Sequence, residues 1–377
     1  MKQARAICLS IVISLVTITA TAKIIQRPLI NPPQRPIAAA ITLDNQLIAI
    51  GCAPVSDDST QQDPALIWLF KYNEMSHVYL PHQYFPTAHI DSVRSLQFSQ
   101  DGRMLVSGAQ DGMICVWKKN SSGTWELHDT LRPNAGPIYS VSFDSIVPNP
   151  TLAQNNDRIL TMAHRGLFIW YLLPDGHYAL AQQEPSVSFN LLAAAPLKGA
   201  FVSSDAEKIQ IWNADELALG KYTKREFINL GSVFRNRVRS LSCSIDGHIL
   251  VVGEDKLTSK SSSDLVRVFT SSLAPFFGPF VYNQSQVLEK SKKPEVQSQA
   301  VAVSADGGKI ATCVRVFVRG EIKPPLTINV YVNRNGKFVL QQTLTDSSRR
   351  HTLHSLVFSY DGTLLISCGD AVNVWEV

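Results

Sequence analysis

The sequence predicts an all-β fold built from seven copies of one short antiparallel unit, set in a radial or solenoidal array. Three observations predict it. First, a strand of the form apolar–any–apolar–aromatic recurs, ending at Phe70, Trp117, Trp170, Trp212, Phe269, Tyr331 and Trp375, at intervals of 42 to 62 residues. Second, another apolar strand precedes each of these, as "LIAIG", "RMLVSG", "RILTMA", "GAFVSS", "HILVVG", "KIATC" and "LLISC", most of them introduced by a turn such as "SQDG", "SIDG" or "SYDG". Asp-Gly between alternating apolar runs is the signal for consecutive antiparallel strands. Third, hydrophobic residues make up 45% and charged residues 18% of the 377 residues, enough apolar material for a sizeable core. No single copy can bury its own apolar faces, so the copies must pack on one another.

The chain opens differently. Lys2 and Arg5 precede a largely apolar stretch, Ala6 to Thr19, which ends at the small residues Ala20 to Ala22. These are the parts of a secretory signal peptide, so residues 1–22 are expected to direct export, with cleavage after Ala22, to the periplasm or the cell exterior. The run is shorter than the ~20 apolar residues needed to span a bilayer, so membrane attachment is expected only if the segment stays uncleaved. Residues 23–377 then form one domain.

Charge and cysteine content narrow the class of partner. A net charge of +4 without a run of five basic residues argues against nucleic-acid binding. Past the signal segment, Cys52, Cys115, Cys243, Cys313 and Cys368 are odd in number, widely spaced and set in apolar runs. That is the pattern of small buried core residues and not of a disulfide framework. Cys313 and Cys368 hold equivalent positions in neighbouring copies.

The second copy, "HIDSVRSLQFSQDGRMLVSGAQDGMICVW" from His89 to Trp117, resembles the WD40 repeat, a four-stranded propeller blade. It carries the histidine, the Asp101-Gly102 turn, Ser107-Gly108, Asp111-Gly112 and the closing tryptophan. The resemblance implies a seven-bladed WD40-like β-propeller covering residues 23–377. It also implies that His89, Ser107, Asp111 and Trp117 form a structural hydrogen-bonded chain tying the strands of a blade together. The sequence departs from the pattern in that no tryptophan is followed by aspartate, Ala88 replaces the glycine before the histidine, and copies five and six end in Phe269 and Tyr331. Those two copies are expected to lack the network, leaving Tyr331 with packing alone.

Each blade needs an outer strand after its aromatic. "SHVYL", "WELHDTL", "HYALAQQ", "REFINL", "SQVLEK" and "FVLQQTL" serve the first six copies, but only two residues follow Trp375. The spare segment "KIIQRPLI", Lys23 to Ile30, is therefore placed as the outer strand of the last blade, closing the ring and removing an exposed edge. Pro28 is tolerable on an outermost strand.

The resemblance puts Arg235, Arg237, Arg319, Lys323, Arg349 and Arg350 on the upper face of adjacent blades, a basic patch suited to an acidic protein or peptide. Phe276 and Phe277, in "LAPFFGPFVY" on the lower face, form a candidate apolar contact. No nucleophile elbow, phosphate-binding glycine loop, zinc-protease helix or paired C-x-x-C occurs, and His351 and His354 would point to opposite faces of a strand. No cofactor and no metal are expected. The function expected is a non-catalytic, exported, monomeric protein-interaction scaffold. The alternative is an exported propeller hydrolase or lactonase with ionisable groups at its channel mouth.

Overall fold

A computed structural model describes residues 26–28, 32, 34–54, 65–145, 157–185, 191–195, 200–204, 208–214, 221–229, 237–255, 263–272, 281–291, 296–318, 321–322, 326–346 and 352–377. All regular structure among them is strand. The expected signal segment, residues 1–22, lies outside the described residues.

The chain enters with β1 (Gln26–Pro28). The first copy forms β2 (Arg35–Ile41), β3 (Leu47–Ala53), β4 (Ala65–Asn73) and β5 (Val78–His89). The second forms β6 (Val93–Phe98), β7 (Met104–Ala109), β8 (Ile114–Lys119) and β9 (Trp125–Leu131). The third follows with β10 (Ile138–Ser145), β11 (Asp157–Ala163), β12 (Gly166–Leu172) and β13 (Tyr178–Pro185). The fourth has β14 (Leu191–Ala195), β15 (Ala200–Ser204), β16 (Lys208–Ala214) and β17 (Tyr222–Asn229). Copy five comprises β18 (Arg237–Cys243), β19 (Ile249–Asp255), β20 (Ser263–Ser272) and β21 (Val281–Ser291). Copy six comprises β22 (Val296–Val303), β23 (Lys309–Val318), the short β24 (Glu321–Ile322), β25 (Leu326–Arg334) and β26 (Lys337–Asp346). The last strands are β27 (Leu353–Phe358), β28 (Leu364–Gly369) and β29 (Val372–Glu376).

The blade count corrects the expectation of seven. Strand pairing gives five independent four-stranded blades; copies five and six are fused in one nine-stranded sheet. The physical reason is local. β19 runs on to Asp255, which pairs with Gln297 of β22, so the backbone ladder crosses from one copy to the next.

At the other end of the chain, β1 lies antiparallel to β29, with Gln26 opposite Trp375 and Pro28 opposite Asn373. The inner strands β2, β6, β10, β14, β18, β22 and β27 each pack on the next, and β27 packs on β2, so the array is a closed ring.

Burial follows position in the ring. Second strands are sandwiched between neighbouring sheets and are buried on both faces, as in β7 and β19, where every residue is buried. They therefore read as unbroken apolar runs, whereas the outer strand β9 alternates toward solvent. The core is divided among clusters shared by adjacent copies. One joins Leu47, Ile67 and Phe85 to Leu105 and Trp117; another joins Ile48, Ile50 and Cys52 of the first copy to Ile366, Cys368 and Val374 of the last. Close approach of the sheets explains Gly108, where a Cβ would fall 2.6 Å from Ile138 Cγ2 and 2.7 Å from Val141 Cγ1. Bulges recur as well. The third-to-fourth strand register shifts beside Phe70, Trp117, Trp170, Trp212, Phe269 and Tyr331, which strengthens the twist of each outer strand. No disulfide forms among the described cysteines. Burial pushes the thiols of Cys52 and Cys313 up to about 12.

Candidate functional site

The best-matching repeat sets His89 at the end of β5, Ser107 in β7, Asp111 in the following turn and Trp117 in β8, and the structure brings the four together. The Trp117 indole N–H donates to Ser107 Oγ at 3.2 Å, and His89 Nε2 lies 2.8 Å from the same oxygen. His89 Nδ1 lies 3.1 Å from Asp111 Oδ2, which also accepts from the Ile90 amide at 3.0 Å. Asp111 Oδ1 accepts from the Met113 amide at 2.9 Å. A carboxylate can only accept here, so a neutral His89 carries its proton on Nδ1 and takes the Ser107 hydroxyl proton at Nε2. Burial pushes the Asp111 carboxyl up, but His89 and the two amides outweigh it and hold the group below its ordinary range. Phe85 stacks on Trp117 with ring centroids 4.2 Å apart.

Other copies keep fragments of this chain. Trp212 donates to Ser203 and Trp375 to Ser367, each at 2.8 Å. In the last copy Thr352, which holds the position of Ser92, bonds Asp370 through both its amide and its hydroxyl. In the third copy neither Thr161 Oγ1 nor Trp170 Nε1 has a hydrogen-bond partner among the described residues.

Three polar clusters went unforeseen. Glu289 on β21 accepts from Tyr331 Oη at 2.6 Å, Asn329 Nδ2 at 2.8 Å and Thr312 Oγ1 at 3.3 Å. Tyr331 thus has more than packing to lose, because copy six replaces the histidine chain with a carboxylate reaching in from the neighbouring copy. In copy five the Arg267 guanidinium grips buried Glu254 through two contacts of 2.6 Å, and Arg239 pairs with buried Asp255. Between copies three and four, Tyr222 Oη donates to buried Asp144, and the Arg158 guanidinium lies 5.2 Å above the Tyr222 ring. Burial raises the Asp144 carboxyl to about 7, against the opposing pull of Arg158. Glu254 and Arg267 leave a sequence trace as charged residues in largely apolar strands, whereas Glu289 lies in the polar strand β21 and leaves none.

Arg235, Arg319, Lys323, Arg349, Arg350, Phe276 and Phe277 lie outside the described residues. Arg237 is placed by its backbone alone, as the first residue of β18. His354 sits apart from any metal cluster and contacts Arg35 Nη2 at 3.0 Å, linking the last copy to the first. Among the described residues no group of three His, Cys, Asp or Glu side chains is placed to hold a metal ion.

The inner strands enclose a central cavity of about 410 Å³. Small and apolar residues dominate its wall, including Ala39, Leu96, Phe143 and Val303, and among the described residues no Asp, Glu, His, Lys or Arg lines it. Three of its polar side chains are engaged between adjacent inner strands. Ser95 Oγ accepts from the Val141 amide at 3.1 Å, Gln97 Oε1 from the Phe143 amide at 2.5 Å and Ser242 Oγ from the Val303 amide at 3.1 Å. Burial pushes the Cys243 thiol up to about 12, far from a nucleophilic thiolate.

One turn recurs at the lower mouth of this cavity. In the second copy Ser99 Oγ donates to Asp101 Oδ1 at 2.6 Å and accepts from the Met104 amide at 2.9 Å. The Arg103 amide donates to Asp101, and Gly102 takes φ +65°. The same arrangement holds at Thr42–Asp44, Ser244–Asp246, Ser304–Asp306 and Ser359–Asp361.

A closed ring of radial antiparallel sheets around a central cavity defines a β-propeller. A profile of the family described as "WD domain, G-beta repeat" matches residues 81–118. The whole fold resembles the crystal structure of the Cps50 (Swd1) β-propeller domain from Myceliophteria thermophila, with a TM-score of 0.65, 13% identity, and coverage of 93% of this chain and 99% of that one. Residues 81–118 thus match the WD40 repeat, and the chain as a whole is similar in fold to that β-propeller domain. No curated protein matches the chain in sequence. As many as 1302 solved chains share the likeness in structure, so it identifies a widely used fold and not an activity.

Proposed function

We propose that the protein is a non-catalytic protein-interaction scaffold, exported through its N-terminal segment, that binds a protein or peptide partner as a monomer. The observation that carries this reading is the cavity wall. A hydrolase or lactonase needs convergent ionisable groups or a metal at the channel, and the described wall offers mainly small and apolar side chains, with Ser95, Gln97 and Ser242 bonded to the backbone of adjacent inner strands. Buried ion pairs and the His89 chain act in this reading as ties between strands, holding the loops in fixed relation. Arg235, Arg237, Arg349 and Arg350, with Arg319 and Lys323, which the sequence resemblance alone assigns to one face, are the residues proposed to meet an acidic partner.

Two measurements test this. Affinity capture with the purified chain, followed by reciprocal capture with the recovered partner, should give a saturable complex. Assays with ester, lactone and glycoside substrates should show no turnover above background. Turnover abolished by a point change at the cavity mouth overturns the reading. N-terminal sequencing of the exported protein is expected to begin at Lys23.

A further inference from the structure

We propose that the lower mouth of the cavity is a docking site for a peptide segment presenting an apolar side chain flanked by lysine or arginine. This rests on the scaffold reading and names a surface and a partner chemistry for it. The recurring turns supply the geometry. In each, the residue between the Ser or Thr and the Asp lines the cavity: Leu43, Gln100, Ile245, Ala305 and Tyr360. Copies five, six, seven, one and two are consecutive around the closed ring, so these residues form one continuous arc. Leu43 and Tyr360, in neighbouring turns, are 41% and 42% exposed although both are large and apolar. The turns are tied together. Asn45 Nδ2 donates to Asp361 Oδ2 at 3.0 Å, the Ile245 amide to the Ala305 carbonyl at 3.1 Å, and Lys309 Nζ to the Gly362 carbonyl at 2.9 Å. The arc is therefore a rigid rim.

Charge selects the occupant. Beside each rim residue stands the turn carboxylate: Asp44, Asp101, Asp246, Asp306 and Asp361, exposed at four positions and half-buried at Asp246. Hydrogen bonds from Ser304, Gly308, Ser359 and Thr363 outweigh burial and hold Asp306 and Asp361 below the ordinary carboxylate range, so both are ionised at neutral pH. Of the cations in the same turns, Lys309 is committed to the Gly362 and Val377 carbonyls, leaving Arg103 beside the arc. An apolar rim inside a row of carboxylates favours an apolar anchor with cationic flanks and repels an acidic segment. The cavity wall, in which small and apolar side chains predominate, can receive the anchor.

The test uses the full chain and a short fluorescein-labelled peptide with a central leucine flanked on both sides by lysine and arginine, read by fluorescence anisotropy. Controls replace the leucine with glycine, or the basic flanks with glutamate and aspartate. One variant combines Asp44→Asn, Asp101→Asn and Asp361→Asn, which keeps each Oδ1 acceptor and removes the charge. A second combines Leu43→Ser with Tyr360→Ser. Saturable binding of the leucine peptide is expected, weakened about tenfold or more in each variant and for each control, and weakened again by salt. Circular dichroism checks folding, and Leu43→Ser alone replaces any variant that fails it. No saturable binding up to millimolar peptide, equal affinity for the controls, or unchanged affinity in both variants overturns the proposal. If partner capture by the full chain persists through the rim changes, the scaffold reading stands and the lower-mouth site falls.

Discussion

His89 shows what one side chain contributes here, because it joins the end of one copy to a strand and a turn of the next. Removing Trp117 deletes a buried aromatic and takes the indole donor from Ser107 Oγ, so Trp117→Ala should cost roughly 3–5 kcal/mol for the aromatic, with a further loss from the broken chain. The informative comparison is Tyr331→Phe. It keeps the ring and removes only the donor to Glu289, so urea denaturation should show a loss of about 1–3 kcal/mol; an unchanged midpoint would mean that the Glu289 contact adds nothing. Asp144 makes a prediction about pH. Its folded value of about 7 lies above the unfolded ~3.9, so between these values the folded chain holds a proton that the unfolded chain has lost. Stability from this group therefore falls as pH rises from ~4 to ~7, with a slope of up to ~1.4 kcal/mol per pH unit, and is level above that. Asp144→Asn should flatten the slope in melts taken across that range. Asp111, Asp306 and Asp361 have the opposite sign. Their folded values are depressed, so their stabilisation is present above the unfolded ~3.9 and lost as acid titrates them in the folded state. An unfolding midpoint that does not fall below pH ~4 would contradict this.

Strands were more legible than side-chain partners. The aromatic-ended strands and the Asp-Gly turns could be placed from spacing, because a strand buried on both faces must be an unbroken apolar run and a tight turn needs a residue at positive φ. His89, Ser107, Asp111 and Trp117 were legible as a set because copy two retains the full repeat pattern. Glu289 was not, since its partners Thr312, Asn329 and Tyr331 lie on strands of the next copy and no local spacing connects them. The fusion of copies five and six was equally invisible. It depends on one backbone pair, Asp255 with Gln297, where a strand overruns its hairpin. β1 tests an element directly. A chain beginning at Lys23 keeps it, and a chain beginning at Pro33 leaves the β29 edge open. The longer form should melt as a monomer. The shorter should melt several degrees lower and elute partly as larger species, and equal behaviour on heating and on a sizing column would show that β1 contributes no stability.

At the level of the whole molecule, stability is distributed: each apolar cluster belongs to two neighbours, so no copy has a core of its own. Cutting the ring at one junction should therefore loosen both flanking sheets first. Hydrogen exchange on the chain beginning at Pro33 should show lost protection in β27, β28, β2 and β3 before β11 or β12. Uniform loss would mean that the ring opens as one unit. The pairing of Gln26 with Trp375 also sets an order of events in time. These residues lie roughly 350 positions apart, so the first strand made has no partner until the last has emerged. The entropic cost of bringing such distant ends together grows only as the logarithm of their separation, and the sheets between them shorten the gap as they form. A growing chain must nevertheless carry an unsatisfied edge throughout its synthesis. Slow closure, with an edge open to association until it happens, is the expected consequence of this one short strand.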